Sequence, residues 1–268
     1  MDEKPDLEFK STYEWCVHAF SAVRDRLGVK IRLHNDHGQL DQAQVLVFNH
    51  FVRFETFIPQ YLIFLKSGVR CRCVAAGELF RANDTFARFL YGVGAVPSDH
   101  PGLMPFLAAE IFRGRKIIVF PEGGMVKDRK VMDHRGEFNI YSPSADARRK
   151  HHTGAAVIAL TTEIFKQRIR SVAQRGETDR LVRWATALEL DDIEHMLDIA
   201  NQPTLLSPAN ITFYPLRTGP NFITRLAGMM NKEMHPKFLE ELVIESNIVL
   251  TNTDMDIRLG EMIHPEKH

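Results

Sequence analysis

Two short blocks of the chain, each an apolar run that stops at polar residues, decide the predicted fold. The first is VLVFNHFVRFE (residues 45–55) and the second is IIVFPEGG (residues 117–124). A continuous apolar run of four residues is typical of a strand that is buried on both faces of a sheet. Side chains that carry chemistry in α/β folds collect where such strands end. The two blocks therefore predict two buried strands with a candidate site at their ends.

Strand and helix patterns alternate around these blocks. Strands are predicted at 29–33, 45–48, 71–75, 93–97 and 117–120, and helices at 56–67, 78–91 and 101–113. This alternation predicts an α/β fold with a mixed, largely parallel sheet flanked by helices. The sequence contains no internal repeat and no linker, so a single domain spanning residues 1–268 is expected.

The remaining segments have weaker patterns. Residues 11–28 predict an N-terminal amphipathic helix, for which core packing and contact with a membrane surface both stay open. Residues 163–207 are predicted to be a helical insertion. A long loop is expected at 125–152, helices at 154–170, 178–200 and 233–250, a strand at 211–216, and an irregular tail from Thr251.

Composition narrows the class of protein. The 268 residues include 34 basic and 34 acidic ones, a balance that argues against a dedicated nucleic-acid binder. Three cysteines without a Cys-x-x-Cys pair indicate reduced thiols and a cytoplasmic setting. The N-terminus carries no signal-peptide pattern, and the most apolar stretch, 57–65, is too short to cross a bilayer. Any membrane contact is therefore expected at the surface.

His50 and Glu55 are the candidate catalytic pair of the first block. On a helix, residues five apart point about 140° away from each other, so these two meet only at a strand-to-helix turn. There, Glu55 orients one ring nitrogen and leaves the other to act as a base. A structural hydrogen bond between the two under a loop is the alternative.

In the second block, glycines follow a proline and an acid. Gly123 and Gly124 permit a close backbone approach, and their amides are suited to line a pocket for an oxyanion or a phosphate. The alternative is an ordinary turn that leaves Glu122 solvated.

In this order and spacing, the two blocks resemble the glycerophosphate/lysophospholipid acyltransferase family, whose motifs are Asn-His, four residues and Asp, then Phe-Pro-Glu-Gly. The resemblance covers 40–159 and resumes weakly at 211–216. It implies transfer of a fatty acyl group from acyl-CoA or acyl carrier protein to the hydroxyl of a glycerophospholipid-type lysolipid, in phospholipid biosynthesis, without a metal or redox cofactor. It also implies that His50 is the general base, Glu55 its partner, and Asn49, Glu122 and Gly123 substrate-binding residues.

The chain departs from the family pattern at three places. Glu55 stands where aspartate is usual, a change also found in the lipid A acyltransferase branch. The stretch 94–100 lacks the family's arginine, and Gly124-Met125 replaces Thr or Ser followed by Arg. Arg53, Lys127 and Arg129 are the candidate substitutes for gripping a phosphate. The basic run 148–152 is either a solvated loop or a contact for anionic lipid.

Three functions follow. The first is a peripheral O-acyltransferase on the cytoplasmic face of a membrane, acting on a glycerophospholipid-type acceptor. The second keeps the reaction but uses another lysolipid acceptor, either amino-acid-derived or lipid A-like. The third is an inactive, lipid-binding relative.

Overall fold

A computed structural model gives the fold. It describes residues 13–19, 21, 30–50, 58–81, 84–122, 139–141, 148–150, 152–190, 192–214 and 254–267.

A seven-stranded mixed sheet forms the centre of the described structure. Its spatial order is β1-β9-β8-β2-β5-β3-β4, and five of its six strand pairs are parallel, β8 with β9 being antiparallel. The strands are β1 (Ile31–His34), β2 (Val45–Phe48), β3 (Cys71–Ala75), β4 (Ala95–Pro97), β5 (Lys116–Val119), β8 (Leu206–Tyr214) and β9 (Asp254–Leu259). The predicted α/β class with a mixed, largely parallel sheet is confirmed.

Helices cover both faces of this sheet. They are α1 (helical at 13–19 and 21), α2 (Gln39–Gln42), α3 (Ile58–Ser67), α4 (Asp84–Gly92), α5 (Leu103–Phe112), α6 (Gly154–Gln174), α7 (Thr178–Ala187) and α8 (Ile193–Asn201). Short 3-10 turns lie at Gly77–Phe80 and Pro265–Lys267. Within the ranges given above, none of the helices has the length and apolar character needed to cross a bilayer.

The chain leaves β2 and β5 on opposite faces of the sheet. After β2 it enters α3, whose Ile58 and Ile63 pack in one core cluster with Leu46. After β5 it continues to α6, which packs Ile158 against Ile117 in a second cluster. From α3 the chain goes to β3, beyond β5, and from α6 it goes on to β8, on the other side of β2. A crevice opens at such a topological switch point, outside the carboxyl ends of the strands.

α6 is longer than the helix predicted at 154–170 and runs through residue 163 without a break. The assignment of residues 163–207 as an insertion stays a prediction. The C-terminal half of α6 packs with α7 and α8 around Val172, Leu181 and Met196. These helices form a third cluster that also receives Phe112 from the end of α5. The segment therefore shares a core with α5.

Two strands correct predictions at the C-terminal side. The predicted strand at 211–216 begins earlier, at Leu206, and the tail predicted to be irregular forms β9. Met255, Ile257 and Leu259 are buried in alternation with Asp256 and Arg258, the period expected of a strand with one buried face. The prediction missed this alternation because four of the five residues at 252–256 are polar. Residues 215–216 and the helix expected at 233–250 lie outside the described residues.

Smaller corrections concern local geometry. The predicted helix 78–91 is divided into a 3-10 turn and α4, and β1 begins two residues later than predicted. The loop predicted at 125–152 contains a two-stranded antiparallel pair, β6 (Asn139–Tyr141) with β7 (Arg148–Lys150). Gly114, with φ of +74°, ends α5 as predicted, in a conformation that glycine adopts at little cost.

α1 packs against the core through the face seen in its described residues. Tyr13 and Val17 are buried against Tyr61, and the backbone N–H of Cys71 donates to the Tyr13 hydroxyl at 3.1 Å. Trp15, by contrast, is 67% exposed. Core packing therefore explains the apolar face of this helix within residues 13–21.

Candidate active site

The two sequence blocks meet at the carboxyl ends of neighbouring parallel strands. β2 and β5 run in register, with Val47 opposite Val119. Just past them, the backbone N–H of His50 donates to the Glu122 carboxylate at 2.5 Å. A hydrogen bond to an ionised acceptor is stronger than one between neutral groups. Glu122 therefore clamps the backbone of the residue that carries the imidazole.

Aromatic residues support this corner from below. Phe48 and Phe120, the last apolar residues of the two blocks, are buried in the same cluster with ring centroids 6.3 Å apart. The His50 ring lies against Phe120, at 5.1 Å between centroids and a tilt of 48°. Burial of the two phenylalanines keeps both strand ends in place. His50 is half-buried, so its ring rests on an apolar floor but is not sealed in the interior.

Asn49 anchors the same turn to the strand on the other side. Its side-chain amide donates to the carbonyl of Ile211 at 3.0 Å, and its side-chain oxygen accepts from the Ile211 N–H at 2.6 Å. Both polar ends of the side chain are thus engaged by one residue of β8. This double hydrogen bond holds the backbone just before His50.

The start of α6 lies beside the same corner. The backbone N–H of His152 donates to the Pro121 carbonyl at 2.8 Å, two residues before α6 begins at Gly154. This carbonyl follows β5, where the sheet no longer supplies hydrogen-bond partners. The first turn of α6 is therefore tied to the Pro-Glu turn.

The structure thus brings three of the predicted site residues together, Asn49, His50 and Glu122. Six predicted residues lie outside the described ranges: Arg53, Glu55, Gly123, Gly124, Lys127 and Arg129. The catalytic pairing of His50 with Glu55 and the roles of the glycines and cations stay predictions.

Sequence reasoning missed the partner of Asn49 and the floor under His50. Ile211 is 162 residues away from Asn49 and carries no polar side chain that would mark it. Phe48 and Phe120 were recognised only as strand residues. The one sequence signal for Phe48 and Phe120 as a supporting pair is that each ends an apolar run directly before the polar residues of its block.

At the end of β4, the stretch that lacks the family's arginine holds an acid instead. Asp99 forms an ion pair with Arg81, and both side chains are largely exposed. The Arg81 pair lowers the pKa of Asp99, so this carboxylate is charged near neutral pH. Its oxygens also lie over Gly77, where any side chain would collide with them. The side chain of Asp99 therefore occupies the end of β4 at the carboxyl edge of the sheet.

Comparison with known proteins identifies the class. The sequence model of the Acyltransferase family matches residues 30–166, a little over half of the chain and both blocks with it. The chain belongs to the acyltransferase family and is an acyltransferase enzyme. No curated protein sequence matches it.

Among solved structures, the chain is similar to the 1-acyl-sn-glycerophosphate (LPA) acyltransferase PlsC from Thermotoga maritima. The two share 13% sequence identity with a TM-score of 0.42, and the match covers 96% of this chain and 72% of that one.

Proposed function

We propose that this acyltransferase moves a fatty acyl group from acyl-CoA or acyl carrier protein to the hydroxyl of a glycerophospholipid-type lysolipid. The reaction would belong to phospholipid biosynthesis. One observation carries the proposal: His50, half-buried on Phe120, is held by its backbone on Glu122 where β2 and β5 end. A ring that is positioned but still open on one side suits a base that must reach a substrate proton.

The proposed mechanism uses the imidazole of His50 in its neutral form. The imidazole takes the proton of the acceptor hydroxyl as that oxygen attacks the thioester carbonyl. A carbon–oxygen bond forms, the carbon–sulfur bond breaks, and the thiol leaves with the proton that His50 returns. Glu55 holds the ring tautomer and stabilises the imidazolium. The amides of Gly123 and Gly124 are assigned to the developing oxyanion, where one donor contributes roughly 3–4 kcal/mol.

The acceptor is assigned to the corner between the two blocks. Glu122 fixes one side of this corner by accepting from the His50 backbone N–H. Asn49 fixes the other side through its hydrogen bond to Ile211 of β8. Arg53, Lys127 and Arg129 follow the two blocks in sequence and are proposed to contact the acceptor phosphate. No metal or redox cofactor is needed for this step, because proton transfer and thioester cleavage balance by themselves.

We further propose that the enzyme works at the cytoplasmic surface of a membrane. An apolar stripe on α6 supports this: Val157, Leu160 and Ile164 are 41%, 49% and 57% exposed. They recur at helical spacing on the solvent side and start within two turns of the residue tied to Pro121. Exposed aliphatic side chains that cluster on one helix face are typical of a surface that contacts the apolar part of a membrane.

The test is an acyl-transfer assay with purified protein. Acyl-CoA and acyl carrier protein donors are offered with a panel of lysolipids, and products are read by mass spectrometry. His50→Ala should lower kcat/KM by about 10²–10⁴-fold, the usual contribution of a general base. His195→Ala, an exposed histidine on α8, is the matched control and should keep full activity. Full activity in His50→Ala would reject the mechanism.

Two substitutions at Glu55 test the orienting role separately. Glu55→Gln removes the charge at nearly constant shape and should cost more activity than Glu55→Asp, which keeps the carboxylate. Equal and negligible losses would remove Glu55 from the mechanism while leaving His50 in it.

An alternative acceptor is favoured by one observation. At the end of β4, where relatives carry a phosphate-binding arginine, this chain has Asp99, and its Arg81 partner is already engaged. An amino-acid-derived or lipid A-like lysolipid would need no cation there. In the same panel, an acceptor without a phosphate monoester that outperforms lysophosphatidic acid would decide for this alternative. Lipid binding without any turnover would instead indicate an inactive relative.

A further inference from the structure

A second concave site lies on the outer helical layer, away from the carboxyl edge of the sheet. This helical pocket, between α5, α6 and α7, has a volume of about 250 Å³. Its walls are mostly apolar, and its main lining residues are Pro105, Phe112, Phe165, Arg168, Trp184 and Leu188. On α6 the lining begins at Phe165, eleven residues past Gly154, which is about 16 Å along a helix axis. The pocket is therefore separate from the corner that holds His50.

One cation stands at this pocket without a partner. Arg168 is exposed, and across the described part of the chain it has no hydrogen bond or ion pair. Two ionisable groups next to lining residues of the pocket are already paired. Arg170 pairs with Glu163 at 2.7 Å, and Glu189, which follows the pocket residue Leu188, pairs with Arg113 at 3.1 Å.

A second arginine lies at the aromatic wall of the pocket, but its charge is already compensated. Arg180 lies over the Trp184 ring, 4.9 Å from its centroid, and is itself paired with Glu177. Its charge is therefore compensated, and Arg168 is the cation left to meet a ligand. Apolar walls with a single unpaired cation are complementary to an apolar chain that ends in an anion.

We propose that the helical pocket binds a single hydrocarbon chain with a terminal carboxylate, the chemistry of a fatty acid. The volume is below the range of about 300–1,000 Å³ typical of drug-sized ligands, so it suits one chain and excludes a whole two-chain lipid. The chain lies against Phe165 and Trp184, and Arg168 binds the carboxylate. The site does not depend on the proposed function, because it shares no residue with the corner at His50.

The two tryptophans of the chain make the proposal measurable. Trp15→Phe removes the exposed tryptophan of α1 and leaves Trp184 as the single fluorophore. Titration of this full-length variant with laurate, below its micelle concentration, should give a saturable change in Trp184 fluorescence. Titration with 1-dodecanol, which has the same chain length and no charge, should give weaker binding.

Further substitutions in the Trp15→Phe variant test the charge of Arg168 and the shape of the pocket separately. Arg168→Gln should weaken laurate binding by about two- to fivefold, the usual effect of an exposed ion pair, and leave dodecanol unchanged. Arg183→Gln, an exposed arginine of α7 outside the lining, is the matched control and should change neither. Ala187→Phe, which fills the pocket from the exposed side of α7, should abolish both titrations.

The outcomes are distinct. Absence of saturable binding, or equal affinity for acid and alcohol that Arg168→Gln does not change, overturns the proposal. Circular dichroism establishes that each variant is folded. If Ala187→Phe does not fold, the surface substitution Arg168→Gln still decides. Acyl-transfer activity is not used as a readout, so a failure here leaves the assignment of His50 untouched.

Discussion

Ionisable groups are half-buried at the carboxyl ends of the central strands, whereas those at the amino end of β3 are buried. At the carboxyl ends of β2 and β5, His50 and Glu122 are half-buried, and Glu122 holds the His50 backbone. At the amino end of β3, Arg72 and Glu110 are sealed from water, with side chains 2% and 1% exposed, and they bind each other directly at 2.5 Å.

The buried network around Glu110 contains more charged side chains than the corner at His50 and Glu122. Glu110 also accepts from Arg113 at 2.8 Å and from Arg115 at 2.6 Å. Burial alone would raise the pKa of Glu110, but Arg72, Arg113 and Arg115 together hold that pKa below its usual value. The guanidinium of Arg72 lies over Phe106 as well, 5.6 Å from the ring centroid. Within this network, the carboxylate of Glu110 is neutralised by three arginines, of which Arg72 is buried.

The contrast distinguishes residues that are positioned for a reaction from residues that stabilise the fold. Among the described residues, charge density does not point to the proposed site, because the cluster around Glu110 is closed to a substrate. The feature on which the proposal rests is a histidine whose backbone is held by Glu122 while the residue stays half-buried. The following predictions test that division, starting with the largest effect.

Glu110→Gln should lower the free energy of unfolding by about 3–5 kcal/mol, because it removes the carboxylate that neutralises the buried guanidinium of Arg72. Activity per folded molecule should remain near that of the wild type. His50→Ala should do the reverse, with lost activity and unchanged stability. Urea unfolding and the acyl-transfer assay, run on both variants, measure the two effects.

Glu189→Gln is the matched control for that experiment. It removes another partner of Arg113, but a largely exposed one, with a side chain 78% exposed. An exposed ion pair contributes little, so stability should change by less than about 1 kcal/mol. A loss as large as that of Glu110→Gln would contradict the division between buried and open charges.

A second prediction concerns Lys166, which is buried on α6 with its ammonium 3.1 Å from the Gln202 carbonyl. Burial lowers the pKa of Lys166 to about 8, and Glu163 offsets only part of this effect. Between that value and the ordinary pKa near 10.5, the unfolded chain binds the proton more tightly than the folded one. Stability from this group therefore rises with pH across the window, by about 2 kcal/mol.

Lys166→Met isolates that contribution. The difference in unfolding free energy between wild type and variant should shift in favour of the wild type by about 2 kcal/mol from pH 7.5 to pH 10. Cys71 and Cys73 work in the opposite sense at alkaline pH, because burial raises their pKa values to about 12. Both proteins carry these thiols, so the difference cancels their effect. Parallel curves at all pH values would refute the assignment.

The last prediction concerns the junction of β2 and β8. Asn49→Ala breaks both hydrogen bonds to Ile211 and should cost about 1–2 kcal/mol of stability, since it leaves backbone groups of β8 without partners. Activity should fall as well if the bond positions His50. Asn49→Ala with full activity and unchanged stability would show that the turn is held by other contacts.

Much of this arrangement could be predicted from local sequence. The apolar runs of β2 and β5 and the helix-strand alternation predicted the strands β1 to β5 and the helices α3 and α5 with the correct type, because each element buries a pattern of its own period. The prediction failed where polar residues obscured a strand, as in β9, and where the start of the helix predicted at 78–91 forms a 3-10 turn. Local patterns contain no information about partners far along the chain.

The amino-acid order alone determined the fold class and the two blocks, with His50 and Glu122 each at the end of a buried strand. The tertiary structure decided that these strands are neighbours, that Glu122 binds the backbone of His50, and that Asn49 reaches Ile211. It also decided that Glu110, equally acidic on paper, is a sealed structural charge. The reason is physical: exposure and hydrogen-bond partners depend on which strands pair, and pairing is settled by contacts between residues distant in sequence.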